Sequence, residues 1–230
     1  MTTMRVLMLL LLVQALGWAH IKVVGVKGEI SVRRGVEDIW RGVAPSDILK
    51  PEDSIRSGRR SGATLILEDG RTLAVPELAV IDLSDLRMMT RQELMLKLAM
   101  EGIRSVPATR RSDDFIFPMT TTMHGARREE RRNTPPPADE LRLLQLKGVE
   151  VLHENGFYAT CILRAKQVLR LDPELAKRVD VRLLIADSFE KIGLRSDALS
   201  EYNSLAGDSL DPATRAFVGQ KVEQLKPTNN

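Results

Sequence analysis

Side chains suited to covalent or acid–base chemistry are few in this chain. One cysteine, Cys161, and three histidines, His20, His124 and His153, are spread along 230 residues. They do not have the spacing of a protein-built zinc site, and a single cysteine forms no intramolecular disulfide. Two acidic pairs, Asp113-Asp114 and Glu129-Glu130, fall in sequence without a regular period, where no rigid element holds a general acid and base at a working separation. Cys161 and His153 are the right types for a nucleophile and its base, yet Cys161 lies on the apolar stripe of a helix, at a packing position. No Gly-x-Ser-x-Gly elbow, Gly-rich phosphate loop with lysine, His-Glu-x-x-His or calcium-loop pattern is present. The expectation is a non-catalytic protein with no metal and no cofactor.

Charge offers more. Lys and Arg number 34 against 31 Asp and Glu. Residues 20–86 carry 10 basic and 11 acidic side chains and residues 138–230 carry 13 and 14, whereas residues 87–137 carry 10 and 6. The surplus therefore sits in the middle, with Arg127, Arg128, Arg131 and Arg132 as its densest run. Glu129 and Glu130 interrupt that run and no aromatic residue is interleaved, so it does not read as a nucleic-acid site.

The elements that position these groups follow from periodicity. With 43% apolar and 4% aromatic residues, the chain fits one large or two small globular domains. Residues 1–19 read as a secretory signal peptide: Arg5 in a short n-region, an apolar stretch over residues 6–16, then Gly17-Trp18-Ala19 with small residues at −3 and −1. Cleavage after Ala19 leaves His20 first and sends the protein to a periplasm or the exterior. The alternative is a leader that stays as an anchor.

From Ile21 the period becomes two. Ile30 and Val32, then Ala63, Leu65 and Leu67, then Leu73 and Val75 alternate with polar neighbours. Asp69-Gly70 predicts a hairpin with a type I′ turn, and Lys27-Gly28 predicts a second hairpin joining residues 23–26 to 30–32. Trp40 is expected to anchor the core. The runs Gly28-Glu29-Ile30-Ser31-Val32-Arg33-Arg34-Gly35, Asp47-Ile48-Leu49, Asp53-Ser54-Ile55-Arg56-Ser57-Gly58 and Ala63-Thr64-Leu65-Ile66-Leu67-Glu68-Asp69-Gly70, with Trp40 between the first two, resemble the FecR-type domain. The resemblance covers nearly all of residues 20–83 in order. It departs where the family has glycine before each of two Asp residues and this chain has Ser46 and Glu52, and where a Pro-Asn-Ser turn is here Pro76-Glu77-Leu78. It implies a small periplasmic β module. The regulator that names the family also has a cytoplasmic segment touching a sigma factor, which the residues ahead of this leader do not supply.

Thr90-Arg91-Gln92-Glu93 has capping-box spacing and opens a predicted helix over roughly residues 91–101. Beyond Pro107 the pattern dissolves into a mixed-charge stretch ending in Pro135-Pro136-Pro137, which reads as a linker.

After residue 138 the period is helical. Leu141, Leu144, Gly148, Val151 and Leu152 lead to Gly156, then Cys161, Ile162, Ala165 and Val168; Leu183, Leu184, Ala186 and Phe189 lead to Gly193, then Ala198, Leu199, Tyr202 and Leu205. Aligned on Gly156 and Gly193, the two helix pairs resemble tetratricopeptide repeats, with Cys161 and Ala198 at the small position where helices meet closely, and Val149 and Ala186 at the small position of each first helix. Asp211-Pro212 opens a last helix that caps the second repeat. About three repeats are normally needed for stability, so the helices are expected to pack on the β part or to self-associate. Such arrays hold peptides or other proteins on the face lined by their first helices. Carried over by position, the resemblance implies a partner face of Glu150, His153 and Glu154 with Asp180, Asp187, Glu190 and Lys191. That face is mostly acidic, which predicts docking of a basic peptide: residues 127–132 of this chain or a comparable segment of another.

The layout expected is a multidomain α and β chain. A signal peptide (1–19) precedes a FecR-like β roll or sandwich (20–86), a short helix with a basic Pro-rich linker (87–137) and tetratricopeptide-like hairpins with a capping helix (138–230). The expected function is an exported scaffold for a protein or peptide partner. Alternatives are a cell-wall or glycan-binding module and a membrane-tethered signalling regulator.

Overall fold

A computed structural model of the chain describes residues 20–104, 137–172 and 174–227. The signal-peptide reading, the arginines at 127, 128, 131 and 132, and the Pro135–Pro136 part of the linker lie outside these residues.

Strands come first and helices follow. Eight strands, β1 (Ile21–Lys27), β2 (Ile30–Arg33), β3 (Trp40–Gly42), β4 (Ile48–Leu49), β5 (Ser54–Ser57), β6 (Gly62–Ile66), β7 (Thr72–Val75) and β8 (Val80–Asp82), form two antiparallel sheets ordered β4-β1-β6-β7 and β3-β2-β5-β8. Alternation decides what lies between them: Ile21, Val23, Ala63, Leu65, Leu73 and Val75 from the first sheet meet Ile30, Val32, Ile55 and Ile81 from the second in one buried cluster. Among the described residues six α-helices follow: α1 (Arg91–Arg104), α2 (Ala138–Glu154), α3 (Tyr158–Leu171), α4 (Val179–Lys191), α5 (Arg195–Ala206) and α6 (Pro212–Leu225). The same apolar cluster continues into them through Leu94, Leu146, Val149, Ile162 and Phe189, so strands and helices share a single core.

Two turn expectations are corrected. The strands on either side of Lys27-Gly28 do not form a hairpin: β1 pairs with β4 and β6, and β2 pairs with β3 and β5. Gly28, at φ 73, instead carries the chain from one sheet to the other, where a Cβ would lie 2.5 Å from the Ser61 hydroxyl. The β6–β7 hairpin does form, in the register Ala63↔Val75 to Ile66↔Thr72. Its turn is not type I′, because Gly70 (φ 81) is left-handed and Asp69 is not. Leu67 accepts from the Gly70 N–H at 3.0 Å and donates to Arg71 at 2.9 Å, a three-residue connection with a glycine bulge.

Thr90 caps α1 as its spacing predicts, accepting from the Glu93 N–H at 3.2 Å. The reciprocal half of the box is absent because the Glu93 carboxylate is taken by Arg87 and Lys97. Asp211 caps α6, accepting from Ala213 and Thr214 at 3.0 and 3.1 Å.

The helices dock on the second sheet along its β8 edge. Ile55 and Ile81 are ladder partners, flanked by bonds from Ser57 N–H to Ala79 and from Leu83 N–H to Asp53. The N–H and C=O of Val80 therefore project from the free edge, and α2 covers them. Gly148 permits the approach: a Cβ there would lie 2.1 Å from the Val80 carbonyl oxygen. Charge closes the same seam. Arg164 on α3 reaches Asp82 at 2.7 Å and Asp85 at 2.8 Å. Away from that edge, Arg71 in the β6–β7 turn of the first sheet covers the Phe157 ring at 4.5 Å, and Arg91 on α1 donates to the Gly193 carbonyl at 3.2 Å.

Candidate functional site

The helical face is built by two matching turns. At the end of α2 the Phe157 N–H bonds Leu152 at 2.9 Å and the Gly156 N–H bonds His153 at 3.1 Å; at the end of α4 the Leu194 N–H bonds Phe189 at 2.9 Å and the Gly193 N–H bonds Glu190 at 2.9 Å. Both are Schellman motifs, which need a left-handed residue after the helix, and Gly156 (φ 80) and Gly193 (φ 76) provide it. Packing repeats with the turns. Cys161 and Ala198, Val149 and Ala186, and Ala165 and Tyr202 are each 0% exposed.

These turns bring α2, α4 and α6 side by side, and polar contacts join them. His153 Nε2 lies 2.8 Å from Asp187, with Tyr158 set edge-on to the imidazole at 5.4 Å. Lys221 of α6 donates to both Glu190 oxygens at 2.9 and 3.1 Å. Glu150 is paired with Lys147 and Asp180 with Arg178. Glu154 and Lys191 are exposed, and no ion pair joins either to another described residue. The expected face is therefore assembled, but its acidity is largely matched from within the chain. The basic peptide expected there would have to displace Lys147, Arg178 and Lys221, and residues 127–132 lie outside the described structure.

Behind this face sits Tyr202, wholly buried. Its hydroxyl has no hydrogen-bond partner among the described residues. Burial first, then the nearby Glu190 and Asp187 carboxylates, push its pKa up. Cys161 is also sealed, accepting a long contact from the Ser188 hydroxyl at 3.5 Å. Burial raises its thiol pKa to about 12, the opposite of what a nucleophile needs. His153 points to Asp187 rather than to this thiol, so the structure does not make them a catalytic pair.

A second polar constellation lies on the outer face of the β3-β2-β5-β8 sheet, and it escaped the sequence reading. Registers place Trp40, Arg33, Ser54 and Asp82 in one cross-strand row and Gly42, Ser31, Arg56 and Val80 in the next. Trp40 is 3% exposed and packs with Val80 and Leu144 under the start of α2. Two guanidinium groups stack on its ring, Arg56 at 4.7 Å and Arg33 at 5.6 Å from the centroid. The two arginines differ in partners. Arg33 donates to the Ser54 hydroxyl at 3.0 Å, which donates to Asp82 at 2.5 Å, and Asp82 in turn holds Arg164. Arg56 donates through Nε to the Ser31 hydroxyl at 3.2 Å and forms no ion pair with any described residue. Burial lowers its pKa, with Glu29 and Glu140 acting in the other direction from beyond ion-pair distance. The signal available in the sequence was the period-two placement of Ser31, Arg33 and Arg56 on the face opposite Ile30, Val32 and Ile55.

Asp47 and Asp53 hold turns. Asp47 accepts from the Ala44 N–H at 2.9 Å. Asp53, 2% exposed, accepts from Arg34 at 2.7 Å and from the N–H groups of Lys50 and Gly35 at 2.9 and 3.2 Å. Among the described residues no group of three or more His, Cys, Asp or Glu side chains is placed to hold a metal ion, and no helix is long and apolar enough to cross a membrane. Comparison with models of known families, with curated proteins and with solved structures finds no match to this chain.

Proposed function

We propose that this protein is an exported, non-catalytic adaptor of the cell envelope, in which a FecR-like β module and tetratricopeptide-like helices together hold a protein or peptide partner. One observation carries the reading: the helical part is an internal repeat in which turn hydrogen bonds, left-handed glycines and small packing residues recur together at Gly156 and Gly193. Repeats of this kind stack to present an extended face. The FecR-like half of the reading is supported by Ser46, which adopts φ 78 where the family carries glycine, and by Leu78 at φ 56 in the departing Pro76-Glu77-Leu78 turn. The glycan-binding alternative needs an exposed aromatic platform, and Trp40 is enclosed.

Two measurements test the proposal on the full chain. N-terminal sequencing of the protein recovered from the envelope fraction should begin at His20; an intact Met1 on membranes would reinstate the tethered regulator. A photo-crosslinking residue placed at Glu154 or Lys191, both exposed, should capture one defined partner that the same residue at Gly219 does not. Equal capture at all three sites would reject the helical face as the scaffold.

A further inference from the structure

We propose that the groove between α1 and α3 is a docking site for an acidic amphipathic helix of a partner protein, whose apolar face fills the groove and whose carboxylates pair with Lys97.

The groove has a volume of about 410 Å³ and lies between the turn at Leu83–Asp85, α1 and α3. Met89, Met100 and Leu163 give it apolar walls, and Arg87, Lys97 and Arg164 line it against a single carboxylate, Asp85. That carboxylate is already held by Arg164 at 2.8 Å, and Arg87 is bonded to Glu93, which does not line the groove. Lys97 differs from both arginines. Its ion-pair contact is with the same Glu93 at 3.8 Å, too long for a hydrogen bond. The ammonium therefore lines the groove without an acceptor at bonding distance among the described residues. Residues 87–100 carry Arg87, Arg91 and Lys97 against Glu93 alone, and Arg91 bonds only a neutral carbonyl, that of Gly193. The surplus is positive, which an acidic occupant matches.

The surface beside the groove sets the size of the occupant. Leu94 and Leu98 of α1 pack into the core. Leu96 and Met100, one turn apart on the same helix, are 62% and 51% exposed and carry an apolar stripe outward from the groove. A helix that is apolar all round is covered all round, and no described residue covers this side of α1. A small ligand in the groove would leave the stripe in water. A helix lying along α1 covers both with side chains at i, i+3, i+4 and i+7, and methionine suits such adaptable contacts. A second copy of this chain is a poorer occupant, since a two-fold axis through the stripe brings two surfaces of the same sign together. The inference rests on the adaptor reading, but it uses α1 and α3 where the helical face uses α2, α4 and α6, so the two fail separately.

The probe is a fluorescein-labelled, blocked 14-residue peptide, two copies of Glu-Leu-Ala-Glu-Leu-Leu-Ala, titrated with the full-length protein and followed by anisotropy. It should bind saturably, and more weakly as salt rises. Lys97→Gln should weaken binding about fivefold, the upper end for a half-exposed pair. The Gln-for-Glu peptide should bind at least as weakly, and Lys97→Gln should then cost nothing more. Met100→Glu, which puts a carboxylate into the groove from an exposed position, should abolish binding while its urea midpoint stays that of the parent. Lys191→Gln, on the helical face, should bind as the parent does. No saturable binding, or unchanged binding in the Met100→Glu protein, would overturn the site. A loss confined to Lys191→Gln would overturn the groove and leave the adaptor reading standing on the helical face. Equal binding of the Lys-for-Glu peptide would overturn the acidic occupant, and a dimer that Met100→Glu dissociates would overturn it in favour of a second copy.

Discussion

Replacing Gly148 with alanine tests the seam between strands and helices at its tightest point. The new Cβ would lie 2.1 Å from the Val80 carbonyl oxygen, against about 3.3 Å for the closest ordinary carbon–oxygen contact. Neither partner can rotate away, since one atom is backbone and the other is fixed to it, so α2 must retreat by about 1 Å. Over-packing of this kind costs about 1–3 kcal/mol. The retreat also loosens Leu144 against Val80 and Trp40, where a gap of about 0.5–1 Å forfeits a quarter to a half of each dispersion contact. Alanine returns about 1 kcal/mol through its better helix propensity. The net expectation is a loss of about 2 kcal/mol, or about 4–8 °C in melting temperature for a chain of this size. The internal control is Gly219 on α6, where a Cβ meets nothing within 4 Å; Gly219→Ala should gain about 0.5–1 kcal/mol. Urea unfolding followed by far-ultraviolet circular dichroism and by Trp40 emission measures both, and the two signals should coincide because the core is shared. A Gly148→Ala protein as stable as its parent would refute the close approach of α2 to β8, whatever Gly219→Ala does.

Arg164→Met leaves Asp82 and Asp85 without their shared cation and should destabilise the fold by about 3 kcal/mol, read in the same urea experiment. Burial raises the Asp85 pKa above its ordinary value, with Arg164 pulling the other way. The folded state thus keeps this proton to higher pH than the unfolded chain, and the associated stability, complete below the ordinary carboxylate range, is lost as pH rises through the folded titration. Asp85→Asn should therefore gain on the parent between about pH 3 and pH 6, and a relative loss would show that the Arg164 attraction outweighs burial. Cys161 should resist alkylation in the native protein at pH 8 and react only at the rate of unfolding, its thiol being buried and raised to about 12; fast native labelling would contradict the packing of α3. Tyr202→Phe removes a buried hydroxyl without a partner and should be neutral or stabilising by about 1 kcal/mol, whereas a clear loss of stability would reveal a bond to Glu190.

Local periodicity carried much of this fold. The alternating runs became strands, Thr90 and Asp211 became caps, and Gly156 and Gly193 became the two left-handed turns. What stayed illegible was non-local. Gly28 reads as a hairpin glycine because a left-handed residue is needed both to reverse a strand and to cross between sheets, and only the pairing of β1 with β6 distinguishes the two. Gly148 reads as one apolar-face residue among several, since nothing in a helical period reports the carbonyl it must clear. The partners of the helical face were not legible: Glu190 pairs with Lys221 and Asp187 contacts His153, groups supplied by neighbouring helices. The stack of Arg56 on Trp40 was visible residue by residue, and only the cross-strand rows bring its members together.

The helix laid over β8 also limits how copies of this chain can associate through the second sheet. A sheet with two open edges adds strands at both ends and can grow without limit, as fibrils do. Here one end is sealed by α2, and among the described residues the edge left is the three-residue β3. Two copies meeting there pair the same surface with itself about a two-fold axis, which uses up both edges and stops. Assembly through this sheet is thereby confined to a closed dimer.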